Sequence, residues 1–174
     1  MVPPPRAVML AYPHSTNLDG LLLVLLTRSI GLRGHWMVKD IWLKPPIGWL
    51  TKRVGALPVD RRQANGMVGQ MVERFATEDE FVVLIPPEGT RGRVDSWKSG
   101  FYRIALDADV PVLPTYVDYR TRRGGFLPPI ELTGDAGLDM DAIRAAYPDA
   151  EAMARHPERV GPIRLTSETS DRAN

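Results

Sequence analysis

The sequence predicts a single α/β domain with a largely parallel or mixed β-sheet flanked by helices. Three observations carry that expectation. Short, nearly continuous apolar runs such as RAVMLA (6–11) and FVVLI (81–85) have the character of strands buried on both faces. Segments with apolar residues at helical spacing alternate with them, as layered α/β folds require. The length of 174 residues suits one domain, and a chain of this size buries roughly 70% of the surface its unfolded form exposes.

The elements follow in order. RAVMLA is a strand entered from prolines, and residues 18–28 form a helix with a strongly apolar face. HWMV (35–38) is a strand. IWLKPPIGWLTKR (41–53) is broken by Pro45, Pro46 and Gly48, which leaves short helical pieces or loop. ALPV (56–59) is a short strand. Residues 62–77 place Met67, Met71, Val72 and Phe75 at helical spacing. FVVLI is a buried strand, and residues 98–108 form a helix. VPVLPTYVDY (110–119) is a strand opening with Pro111, GGFLPPIEL (124–132) is a further strand, and residues 138–147 form a helix. In such sheets, sites collect where strands end and helices begin.

Composition excludes several classes. There is no cysteine, so disulfides and thiolate catalysis are out, in keeping with a reducing cytoplasm. The net charge of +1 gives no global pull toward nucleic acid or membrane. Charge is uneven, however. From Arg28 to Arg62 there are eight Lys or Arg against Asp40 and Asp60, and from Glu131 onward acidic residues dominate. No nucleic-acid reader motif accompanies the basic stretch, so no nucleic-acid partner is expected. The longest apolar run, LLLVLL (21–26), falls short of the ~18 residues of a membrane span. His14, His35 and His156 are scattered without ligand spacing, so no metal is expected.

YPHSTNLDG (12–20) places His14 and Asp19 five positions apart. Within one regular helix that spacing turns the two side chains about 140° away from each other. They can meet if His14 lies in the turn and Asp19 in the first helical turn. Pro13, Ser15, Thr16 and Asn17 favour that arrangement. An imidazole oriented by a carboxylate is a general base for a hydroxyl. The same residues also fit a capping box, with Thr16 as N-cap and Asp19 at the third helical position. Both readings stand at this point.

Three further stretches bear on the choice. IPPEGTRGR (85–93) follows the clearest strand and gathers Glu88, Gly89, Thr90 and Arg91. Glycine permits close backbone approach there, and arginine grips phosphate with two parallel hydrogen bonds. GALPVDRR (55–62) sets Arg61 after a short strand, and VPVLP (110–114) is a core strand with a proline near each end. The order His-x4-Asp, Gly-x4-Asp-Arg, Pro-Glu-Gly-Thr-Arg and Val-Pro-Val-Leu-Pro resembles the glycerolipid and lysophospholipid acyltransferase family. WKSGFYRIAL (97–106) resembles a short bacterial branch of it. The likeness runs from about Ala7 to Tyr147.

The resemblance implies a glycerolipid-acyltransferase-like fold, with an acyltransferase domain over residues 1–165 and a polar tail over 166–174. It implies transfer of a fatty acyl group from coenzyme A or acyl carrier protein to a glycerol-phosphate or lysophospholipid hydroxyl, with 1-acylglycerol 3-phosphate as the leading acceptor. No cofactor is implied beyond the thioester donor. His14 becomes the general base and Asp19 its orienter. Arg61, Glu88, Gly89, Thr90 and Arg91 shape the acceptor site, and Lys39 and Lys98 add positive charge. Val110–Pro114 supports the core or the acyl path. Pro13 stands where members often carry Asn, Pro58 where an aromatic is common, Pro86 where Phe is usual, and Gly92 where Ser follows.

Only 13 residues precede His14, so the membrane-attaching helices that many relatives carry there are expected to be missing. Residues 37–53 interleave Met37, Ile41, Trp42, Leu43, Ile47, Trp49 and Leu50 with Lys39, Lys44, Lys52 and Arg53. That mixture suits either peripheral contact with an anionic membrane, at the inner face of the cell membrane, or core packing with lysines turned outward. Two rival functions share these residues: an acyl-thioester hydrolase, and a lipid-binding module without catalysis. Oligomeric state is not legible in the sequence.

Overall fold

RAVMLA forms the strand on which the rest of the sheet is built. The structure, a computed structural model, describes residues 3–38, 49, 55–58 and 64–166. Its elements are β1 (Arg6–Ala11), α1 (Asn17–Ser29), β2 (Gly34–Val38), β3 (Ala56–Pro58), α2 (Ala64–Thr77) and β4 (Phe81–Ile85), then α3 (Gly100–Asp107), β5 (Val112–Asp118), β6 (Arg123–Phe126), α4 (Ala136–Ala146), the short α5 (Ala150–Met153) and a 3-10 turn at Pro157–Arg159. The sheet order is β3-β2-β4-β1-β5-β6. Every neighbouring pair is parallel except β5–β6, an antiparallel hairpin. The sheet is therefore mixed and mostly parallel.

Strand β1 pairs with β4 on one side and β5 on the other, with Val8 opposite both Val83 and Val112. Ala7, Val8, Met9 and Leu10 have no exposure at all. Alternation divides them between two cores. Val8, Leu10 and Tyr12 pack with Val83, Ile85 and Val112 against Met71 and Phe75 of α2, Phe101 and Ile104 of α3, and Met140 and Ile143 of α4. Ala7, Met9 and Ala11 pack with Val82, Leu84 and Leu113 against Leu23 and Val24 of α1. Full burial of each larger apolar side chain contributes ~1.5–3 kcal/mol, which is why continuous apolar runs end up in the centre. LLLVLL is only partly used in this way: Leu23 and Val24 are buried, while Leu21 and Leu25 stay exposed.

GGFLPPIEL departs from expectation. The strand β6 ends at Phe126; beyond it the Leu127 N–H still bonds to the Pro114 carbonyl at 2.9 Å and Ile130 bridges back to Val112. Pro128 and Pro129 have no N–H to donate, so the ladder stops before them. The chain past α4 returns to the segment before α3, where Trp97 pairs with Leu165 in an isolated bridge. Among the described residues no helix is long and apolar enough to cross a membrane.

The parallel sheet brings the carboxyl ends of β1, β4 and β5 to one edge. His14 follows β1, Glu88 follows β4 and Tyr119 follows β5.

Candidate active site

Tyr12 anchors the end of β1. Its ring lies edge-on to Trp97 and Tyr147, with centroids 4.7 and 5.0 Å away, and its hydroxyl donates to the Gly161 carbonyl at 3.2 Å. The Tyr12–Pro13 peptide bond is cis. Three residues later Thr16 takes an extended conformation and caps α1, its hydroxyl accepting from the amides of Leu18 and Asp19 at 3.1 and 3.4 Å. Asp19 answers as the third helical residue, and Oδ2 accepts from the Thr16 amide at 2.7 Å. The capping box is complete.

The same carboxylate faces the histidine. Asp19 is 1% exposed, and its Oδ2 lies 3.9 Å from His14 Nδ1. Oδ2 also accepts from the Ser15 amide at 2.6 Å, while Oδ1 accepts from the Thr16 hydroxyl at 2.9 Å and the Tyr119 hydroxyl at 2.6 Å. The two readings of YPHSTNLDG are thus not alternatives. The cap holds the carboxylate in place, and one of its oxygens is turned toward imidazole. His14 Nδ1 is buried and lacks a hydrogen-bond partner among the described residues. A closure of about 1 Å would make the bond, and catalytic contacts of this kind often tighten only with substrate bound. The His14 side chain keeps 16% exposure.

The electrostatics favour a neutral base. Burial pulls the His14 pKa below its ordinary 6.5, the Arg91 guanidinium lowers it further, and Asp19 works in the opposite direction. A neutral imidazole at pH 7 can accept a proton.

The Pro-Glu-Gly-Thr-Arg loop is tied to this junction at both ends. Glu88 is 3% exposed, and its Oε2 accepts the His14 backbone N–H at 3.1 Å. Gly89 turns the loop with φ +68, its N–H donating to the Pro86 carbonyl at 3.1 Å. The positive φ favours glycine there, and a Cβ would also come within 2.8 Å of Lys98 Cε, so the flexible lysine end would have to shift. Thr90 and Arg91 are exposed, and Arg91 donates to the Asn17 side chain at 2.8 Å, at the start of α1. A guanidinium and the first turn of a helix therefore stand beside the imidazole, an arrangement that suits an anion.

Burial also pushes the Glu88 carboxyl up to about 8, opposed by the His14 amide and reinforced by the charge of Asp19. The ordinary value is 4.5, so the folded state prefers the protonated form. That contribution to stability is complete below the unfolded value and is lost as pH rises through the folded one. Glu88→Gln keeps an acceptor for the His14 N–H and cannot ionise. Melting both proteins across pH 5–8.5 is expected to show the wild-type midpoint falling relative to the variant, by about 5 °C or more. Parallel curves would contradict the burial of an ionisable Glu88.

Of the residues singled out in the sequence, His14, Asp19, Glu88, Gly89 and Arg91 converge on one place, with Thr90 in the same loop and Lys98 folded over Gly89. Arg61 and Lys39 lie outside the described residues, as does most of the segment 37–53. Val110, Val112 and Leu113 are core residues. Two contributors were not anticipated. Arg159 donates to the Ser15 carbonyl at 3.0 Å from the C-terminal segment, and Tyr119 reaches Asp19 from the end of β5. Neither sequence neighbourhood carries a signal for these contacts. Among the described residues, no cluster of three or more His, Cys, Asp or Glu could hold a metal ion.

Fold and site together define an α/β protein with a His–Asp pair at the carboxyl edge of a parallel sheet, next to an arginine-bearing loop. A protein-family model described as Acyltransferase matches residues 1–118, and the chain belongs to that family. It is 30% identical over 129 residues to the 1-acyl-sn-glycerol-3-phosphate acyltransferases of Limnanthes alba and Limnanthes douglasii. The match covers 69% of this chain and 45% of each relative, so the chain spans less than half the length of these plant proteins. Its fold is similar to the crystal structure of the 1-acyl-sn-glycerophosphate (LPA) acyltransferase of Thermotoga maritima, with a TM-score of 0.60 at 16% identity, over 89% of this chain and 69% of that one.

Proposed function

We propose that the protein transfers a fatty acyl group from an acyl thioester, carried on coenzyme A or acyl carrier protein, to the hydroxyl of a glycerol-phosphate or lysophospholipid acceptor, with 1-acylglycerol 3-phosphate preferred. The observation that carries the reading is the facing of His14 Nδ1 and Asp19 Oδ2 at 3.9 Å, with Arg91 bonded to the same helix start. The related plant proteins, named for this acceptor, support the choice of substrate.

The chemistry is a direct transfer. His14 Nε2 takes the acceptor's hydroxyl proton as its oxygen attacks the thioester carbon. Asp19 holds the imidazole and stabilises the imidazolium that forms. The tetrahedral oxyanion collapses, the C–S bond breaks, and the imidazolium returns its proton to the leaving thiolate. Arg91 meets the acceptor phosphate, with Arg61, Lys39 and Lys98 adding positive charge. Residues 37–53 contact the membrane surface, which puts the protein at the inner face of the cell membrane. The exposed indole of Trp49, at 69%, supports this part.

The test is to incubate purified protein with acyl-coenzyme A and a panel of glycerol 3-phosphate, 1-acylglycerol 3-phosphate and other lysophospholipids, with products read by mass spectrometry. Acylated phosphate ester is the expected product. Free fatty acid alone would favour a hydrolase, and no consumption of the thioester would favour a binding module.

A further inference from the structure

Asp19 is the pivot of the site, and the capping box explains only part of how it is held. Its Oδ2 is fixed by the amides of Ser15 and Thr16. Its Oδ1 takes two hydroxyls, from Thr16 at 2.9 Å and from Tyr119 at 2.6 Å. Thr16 is local and already engaged with the amides of α1. Tyr119 lies 100 positions away and comes from the turn after β5. Among the described residues it is the one donor to Asp19 from outside the loop and helix around YPHSTNLDG.

Tyr119 is itself firmly placed. Asp118 folds the turn after β5, its Oδ1 accepting from the amides of Arg120 and Thr121 at 2.8 and 3.1 Å. The Tyr119 amide donates to the Met153 carbonyl at 3.0 Å. The Arg155 guanidinium lies 6.0 Å from its ring centroid. Locally, Oδ2 is held by two amides and the Ser15 hydroxyl, but Oδ1 is held only by the rotatable Thr16 hydroxyl, so the outer oxygen is the less firmly fixed of the two. A short hydrogen bond from the turn after β5 ties Oδ1 to a separate part of the fold. Any closure of the 3.9 Å gap then falls to the imidazole.

We infer that Tyr119 is a positioning residue for the transfer reaction, its hydroxyl locking the Asp19 carboxylate so that one oxygen stays aimed at His14. The inference rests on the reading of His14 as general base. A structural role alone, completing the hydrogen bonds of a buried carboxylate, would affect stability and not turnover.

The experiment uses the full chain with palmitoyl-coenzyme A and 1-acylglycerol 3-phosphate, and compares wild type, Tyr119→Phe, Asp19→Asn, the double variant and His14→Ala. Tyr119→Phe keeps the ring and is expected to lower kcat by roughly three- to tenfold, the worth of one net hydrogen bond. KM for both substrates stays within about twofold, as expected when only the reacting geometry is disturbed. In the Asp19→Asn background the same change brings no further loss of kcat, because Tyr119 acts through Asp19. Thermal melts confirm that each variant is folded. A kcat of Tyr119→Phe indistinguishable from wild type, a loss carried by KM, or the full factor persisting in the Asp19→Asn background would each overturn the inference. Unimpaired transfer by His14→Ala would overturn it too, and would identify the general-base reading as the part that failed.

Discussion

His14→Ala is expected to lower the turnover of acyl transfer by about 10²–10⁴-fold, the usual worth of a positioned general base. The fold should persist, because the ring is not a core element. Its side chain keeps 16% exposure, and Nδ1 has no hydrogen bond to lose. The tie from Glu88 goes to the backbone N–H of residue 14, which alanine retains. The check is kcat for transfer to 1-acylglycerol 3-phosphate, beside a thermal melt. A folded variant with undiminished transfer would remove His14 from the chemistry.

Asp19→Asn is expected to have the second largest effect, a loss of about 10–100-fold in kcat. The amide can keep its oxygen toward the Ser15 and Thr16 amides, which donate to Asp19 Oδ2 at 2.6 and 2.7 Å. Its nitrogen then meets the Tyr119 hydroxyl, which can rotate to accept, while the Thr16 hydroxyl already accepts from the Leu18 and Asp19 amides. Asparagine and aspartate are both well suited to local capping geometry, so the stability cost should stay near ~1–2 kcal/mol. The negative charge is what disappears. A hydrogen bond to a charged partner is worth ~1.5–3 kcal/mol, and the imidazolium formed during transfer would lack it. Asp19 also raises the His14 pKa, so its removal should move the acid limb of kcat/KM to lower pH. Parallel measurements of rate against pH and of melting would separate the two roles. A large loss of stability with unchanged kcat would leave Asp19 as a cap alone.

The sequence carried the local part of this site and not the tertiary part. Thr16 and Asp19 form a cap because their spacing alone satisfies amides within one helical turn. FVVLI and RAVMLA became central strands because an unbroken apolar run has nowhere else to bury both faces. The end of β6 was misjudged because the apolar residues of GGFLPPIEL masked the two prolines that cannot join a ladder. Tyr119 and Arg159 gave no sign, since each finds its partner more than 99 positions away. Glu88 was legible as part of a motif. Its raised pKa was not, because burial belongs to the whole packed domain and not to the loop that carries the residue.

The account stands on a neutral His14 acting as base, and the pH dependence of kcat/KM tests this most directly, since that ratio reports the ionisation of the free protein. The rate is expected to fall on the acid side with a midpoint below 6.5, matching an imidazole titration followed by NMR that is lost in His14→Ala. An acid limb at or above 6.5, or one that persists unchanged in the residual activity of His14→Ala, would contradict it.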